Sequence, residues 1–275
     1  MKKIIIIISL FILLTLTTNA TASTTPYINN KHLFWFFKDN FTEYTSPLDL
    51  SINYYHFSRY NPPVTFKTTF NDVNDKKYFY FTNNTLIMNW QRNCDPYDYS
   101  ASQVLMYKIP LPRDITVTIT VRDLQGISPY YSQRMRLIFG WIRFVNGKMY
   151  GYGVVLDEGI DGDSNNDRDL YIIRYDGITY WGDYSSKGHK LKIRDLPFKY
   201  EDSTYHTIQI NFRTLSATID GEVLIKGVTD NTYNWMGYVF FGTWCKSDAQ
   251  FKSIEIAPNI MLPPTVFKMR NIELR

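Results

Sequence analysis

From Ile115 to Arg122 the chain alternates without a break. Ile115, Val117, Ile119 and Val121 are apolar, while Thr116, Thr118, Thr120 and Arg122 are polar. A period of two built from β-branched residues predicts a strand with one buried face. Ile208, Ile210 and Phe212 alternate with Thr207, Gln209 and Asn211, and Leu215, Ala217 and Ile219 continue the pattern to Asp220-Gly221. Asp-Gly between such runs predicts a hairpin turn, leading here into Val223, Leu224 and Ile225. A second Asp-Gly, at 176–177, predicts a turn between runs at 170–175 and 178–181. Further runs at 64–70, 78–81, 86–90, 237–244 and 251–256 read as strands, and 93–102 and 183–205 as longer irregular stretches. No long segment carries a helical period. About a dozen short strands with turn signals predict an all-β fold, a two-sheet antiparallel β-sandwich.

The strongest turn is Asn146-Gly147, between runs at 135–145 and 148–156. A type I′ turn needs positive φ at both central residues, which Asn-Gly supplies. The two-residue turn fixes the register. Trp141 faces Tyr152 and Arg143 faces Tyr150 on one side; Gly140 faces Gly153 and Ile142 faces Gly151 on the other. Either the Trp/Tyr/Arg side is a solvent-facing platform, or those aromatics are core and the glycines line an open trough. The cost of burying Arg143 without a partner favours the first.

Residues 1–22 read as a secretory signal peptide. Lys2 and Lys3 precede an apolar run from Ile4 to Leu16, and Ala20-Thr21-Ala22 supplies small residues for cleavage. The expected layout is 1–22 signal, 23–34 lead-in, 35–257 sandwich domain and 258–275 Pro-containing tail. No later run approaches the ~20 apolar residues of a membrane span. Without Lys2 and Lys3 the 30 basic residues exceed the 26 acidic ones by two, which gives no electrostatic case for nucleic acid. Export permits a disulfide between the only two cysteines, Cys94 and Cys245. Asn40-Phe-Thr42 and Asn83-Asn-Thr85 match the glycosylation pattern.

Several stretches together carry a family likeness. They are Asp39-Asn40-Phe41; 86–90; Tyr205-His206 running on to Asp220-Gly221; Gly237 to Gly242; and Phe251 to Ile256. In that order they resemble the concanavalin A-like lectin/glucanase superfamily, nearest to its laminin G-like members. The resemblance implies two antiparallel sheets, one concave, with the first and last strands side by side. That would bring the neighbourhoods of Cys94 and Cys245 together. It also implies sugar binding on the concave face or at loop tips.

Glycoside hydrolysis needs two carboxylates at a set separation. The glucanases of that superfamily carry Glu-x-Asp-x-x-Glu or Glu-x-Asp-x-Glu on one strand, and Glu158-Gly-Ile-Asp161 has the wrong spacing. Carboxylates from different strands could still converge. His32, His56, His189 and His206 lie apart and show no metal or triad spacing; His206 reads as a half-exposed structural residue. Asp161, Asp163, Asn165, Asp167 and Asp169 place oxygens at alternate positions, a candidate Ca²⁺ loop.

Aromatic residues make up 17% of the chain, including 22 Tyr and 6 Trp. Tyr and Trp combine a flat apolar face with a polar tip, which suits sugar stacking. The candidate ligand-binding residues are Trp141, Arg143, Tyr150 and Tyr152 on the hairpin, Tyr180, Trp181 and Tyr184, and Trp235. The leading expectation is a secreted, non-catalytic carbohydrate-binding or adhesion module whose partner is a glycan or a cell-surface or envelope component. One alternative is a self-assembling structural protein of an envelope, filament or virion. The other is a glycoside hydrolase with displaced carboxylates.

Overall fold

The computed structural model describes residues 37–58, 79–88, 102–123, 136–158, 168–178, 188–195, 204–244 and 249–259. The elements along them are β1 (Phe37–Asp39), α1 (Pro47–Leu50), β2 (Tyr54–Ser58), β3 (Phe79–Thr82), β4 (Thr85–Met88), β5 (Ser102–Tyr107), β6 (Leu111–Pro112), β7 (Ile115–Asp123), β8 (Arg136–Val145) and β9 (Lys148–Glu158). They continue with β10 (Arg168–Ile178), β11 (Gly188–Asp195), β12 (His206–Asn211), β13 (Ser216–Ile219), β14 (Glu222–Ile225), β15 (Met236–Trp244) and β16 (Ala249–Pro258). One sheet has the order β14-β13-β12-β7-β16-β4-β3, with β1 beside β16. The other has the order β11-β10-β9-β8-β15-β5-β2, with β6 beside β15. Both sheets are antiparallel, and together they form a β-sandwich jelly roll. The first and last of the described strands are neighbours, with Phe37 opposite Ile256.

The alternation on β7 sets the layers. Ile115, Val117, Ile119 and Val121 are buried and pack, with Ile208 and Ile210 of β12, against Phe139, Val154 and Phe241 of the second sheet. The outer face of the second sheet is buried as well, around Ile138, Ile142, Val155, Ile173 and Phe240. Where β1 ends, the buried Asp39 carboxylate accepts from Phe41 N at 2.9 Å, Tyr44 OH at 2.6 Å and Tyr54 OH at 2.9 Å. Those donors offset the cost of burying it.

Two local expectations change, and one turn not read from the sequence appears. Asp176-Gly177 is not a hairpin turn: β10 runs through it, and Gly177 (φ 78°) is the extra residue where Asp176 pairs with Tyr150 and Ile178 with Met149. A bulge uses the same positive φ that a turn uses. The irregular stretch 183–205 contains β11, whose run Lys190-Leu-Lys-Ile-Arg194 has the period of an edge strand guarded by charge. Asn83 and Asn84, with φ of 49° and 57°, form the two-residue turn between β3 and β4.

Candidate functional site

The hairpin register is as expected: Trp141 opposes Tyr152, Arg143 opposes Tyr150, and Asn146 and Gly147 turn with φ of 51° and 73°. The favoured face is corrected. Trp141 and Tyr152 are both 0% exposed and lie between the sheets, so they are not a solvent-facing platform. Their polar tips are satisfied inside: Trp141 Nε1 donates to Leu111 O at 2.9 Å and Tyr152 OH to Asp230 Oδ1 at 2.7 Å. The glycine side is not an open trough either. A Cβ at Gly140 would stand 2.1 Å from Phe240 Cε1, and one at Gly153 2.6 Å from Tyr175 Cε2, so two rings lie over these glycines.

Two residues past Trp141, on the same side of β8, the strand outruns the core and Arg143 is exposed. The segment between β14 and β15 folds back over this overhang and brings Tyr233 and Trp235 to it. The Arg143 guanidinium sits 5.6 Å from the centroid of the Trp235 ring. Tyr150 meets Trp235 edge-on at 6.5 Å and Tyr233 edge-on at 6.1 Å, and Tyr233 stacks on Trp235 at 4.6 Å. Trp235 and Tyr150 are half-buried, and Asn234 and Met236 beside them are exposed. The two hairpin residues Arg143 and Tyr150 and the separately predicted Trp235 thus form one patch.

A polar network holds the patch from beneath. Asp230 accepts from Arg174 Nη1 at 2.6 Å, from Tyr152 OH and from Thr232 N at 2.9 Å. Asp176 accepts from Arg174 Nη2 at 3.3 Å and from Tyr233 OH. Arg113 is buried and donates to Tyr233 O at 3.1 Å. Sequence reading missed Asp230, Tyr233, Arg174 and Arg113. The one signal was the aromatic pair Tyr233 and Trp235 inside an otherwise polar inter-strand segment.

Burial raises the Asp230 pKa, but the hydrogen bonds from Tyr152, Thr232 and Arg174 outweigh it and hold the carboxyl well below the ordinary carboxylate range. A depressed folded pKa contributes stability above the unfolded value of ~3.9 and loses it as pH falls. Stability is therefore expected to drop as pH falls below ~4. Asp230→Asn should flatten that acid limb in pH-dependent urea melts; an unchanged limb would place the acid sensitivity elsewhere. Asp39 tilts the other way, because desolvation pushes its carboxyl up in spite of its three donors.

No protein-family model and no curated protein matches the chain. Solved structures share its architecture. The carbohydrate recognition domain of Emp46p, potassium-bound form, aligns with TM-score 0.54 at 10% identity, over 81% of this chain and 96% of that one. A Bacillus subtilis protein of galectin-like fold aligns with TM-score 0.52 at 11% identity, over 81% and 94%. A glycoside hydrolase family 16 endo-glucanase from Bacteroides ovatus aligns with TM-score 0.52 at 11% identity, over 80% and 99%. The fold is concanavalin A-like. At these identities the likeness is one of architecture.

In this concanavalin A-like sandwich the outer face of the second sheet presents Ile138, Gly140 and Ile142 on β8 and Gly151, Gly153 and Val155 on β9, none of them acidic. Nearer the other end of these strands, Asp157, Asp169 and Asp195 take directly opposed register positions on β9, β10 and β11, with Arg136 opposite Asp157. Of the five expected calcium ligands only Asp169 lies among the described residues, and its Oδ2 accepts from Tyr171 OH at 2.7 Å. Among the described residues no three His, Cys, Asp or Glu are placed to hold a metal ion. Asp161, Asp163, Asn165, Asp167, Tyr180, Trp181, Tyr184, Cys94 and Cys245 lie outside the described residues. Asn40 and Asn83 are exposed.

His206 is 6% exposed, more buried than expected. Its Nδ1 lies 2.6 Å from Asp220 Oδ2 and its Nε2 3.2 Å from Thr204 Oγ1. The other Asp220 oxygen accepts from Thr207 N at 2.8 Å, so ring and turn together pin the β12–β13 hairpin.

Proposed function

We propose that this chain is an exported carbohydrate-binding module whose ligand sits on Trp235, Tyr150 and Arg143. The observation that supports it is the patch itself: a tyrosine edge and an exposed guanidinium on the β8–β9 hairpin, and a half-buried indole on a loop fixed by Asp230, Asp176 and Arg113. A flat aromatic face offers apolar contact to a sugar ring, and a fixed loop lowers the ordering cost of binding. The concanavalin A-like architecture is also that of a domain named for carbohydrate recognition and of an endo-glucanase.

Glycan-array binding tests the proposal. Trp235→Ala is expected to lower affinity at least tenfold, about 1.4 kcal/mol, with the sandwich still folded by circular dichroism. Binding that is unaffected by Trp235→Ala would move the ligand elsewhere. The catalytic reading has one observation in its favour, the opposed register of Asp157 and Asp169. Reducing-sugar release from a polysaccharide panel, lost on Asp169→Asn, would replace the binding reading.

A further inference from the structure

We infer that the glycan bound at this patch is acidic: a sugar whose carboxylate is taken by Arg143 while its ring covers Trp235. This rests on the proposal above and narrows its ligand class. Arg143 is exposed, and among the described residues it has no ion-pair partner. The carboxylates beside it are committed. Asp230 is held by Arg174 at 2.6 Å and by Tyr152 at 2.7 Å, and Asp176 by Arg174 at 3.3 Å and by Tyr233. The Arg174 guanidinium is spent on those two carboxylates and the buried Arg113 on backbone carbonyls, which leaves Arg143 as the recognition charge.

Chemistry narrows the ligand further. A guanidinium has five N–H donors and no acceptor, so its natural partner is a group that only accepts. A carboxylate is such a group, and it matches the guanidinium fork with two parallel hydrogen bonds. Arg143 rests over the very ring that a sugar would cover, 5.6 Å from its centroid. A neutral sugar would displace the guanidinium from the indole and offer only hydroxyls in exchange. A uronate-type sugar would displace it and supply an ion pair. Lys148, exposed at the hairpin tip two residues before Tyr150, adds positive charge on the approach.

The test uses the full chain and three carboxylated polymers, polygalacturonate, alginate and hyaluronan, each beside its carboxyl-reduced counterpart. At least one acidic polymer is expected to bind tenfold or more tightly than its reduced form, and less tightly at high salt. Arg143→Ala should erase that preference. Arg143→Lys, which keeps the charge and loses the fork, should remove most of it. Lys226→Ala, an exposed charge change outside the patch, should leave it intact. Equal affinity for every polymer and its reduced form, with Trp235→Ala abolishing both, would overturn the acidic-sugar inference and keep the glycan site. No binding to any polymer, acidic or reduced, would overturn the inference and count against the site reading as well.

Discussion

Replacing Arg113 with alanine is expected to cost about 3 kcal/mol of stability, because several buried carbonyls lose their donor at once. The side chain is 6% exposed and joins segments far apart in sequence. Nε donates to Phe212 O at 2.7 Å, Nη1 to Tyr233 O at 3.1 Å and Nη2 to Arg213 O at 3.3 Å. The guanidinium also lies 4.2 Å from the centroid of the Tyr152 ring. Alanine leaves those carbonyls without their donor, and an unsatisfied buried acceptor costs ~1–3 kcal/mol. Arg113→Lys should recover only part of the loss, because an ammonium cannot fork to three acceptors in fixed directions. Urea denaturation of the two variants checks this; a loss below ~1 kcal/mol for alanine would show that the corner tolerates its own disconnection.

The second large effect separates two glycines of one hairpin. Gly151→Ala is expected to cost more than ~3 kcal/mol, because a Cβ there would meet immovable backbone. It would stand 2.2 Å from Trp141 O and 2.8 Å from Ile142 Cα, at a φ of 142°. Relief would require β8 and β9 to part. Gly147→Ala should cost only about 1–2 kcal/mol, the price of positive φ alone. Nothing lies within 4 Å of a Cβ at that tip, where φ is 73°. Folded yield and melting temperature distinguish the two; equal losses would mean that backbone conformation, not crowding, governs both sites.

The contrast shows what local pattern could reveal. The two-residue turns at Asn146-Gly147 and Asp220-Gly221 were legible because positive φ restricts the residues that can stand there. The face of the hairpin was not. Arg143 is exposed, as the cost of burying its charge requires, but Trp141 two residues earlier is core. A strand can leave the core within two residues, and pairing register does not say where the opposing sheet ends. Trp235 carried a local hint, but its contact with Tyr150 depends on the loop folding back across the hairpin. No periodicity encodes that. The Asp176-Gly177 pair is ambiguous for a simpler reason: turn and bulge draw on the same two residues.

One feature of the topology bears on how the chain is made. β16 (Ala249–Pro258) pairs with β7, β4 and β1, and without it the first sheet falls into separate pieces. The strands that β16 joins, β1 at 37–39, β4 at 85–88 and β7 at 115–123, all lie more than a hundred residues before it, so closing the sheet requires contacts of long sequence separation, which form slowly. The growing polypeptide cannot join these pieces into one sheet until β16 has been made. For a protein proposed to be exported, that dependence defers the native pairing of this sheet, though not of the local β8–β11 meander, until β16 is available.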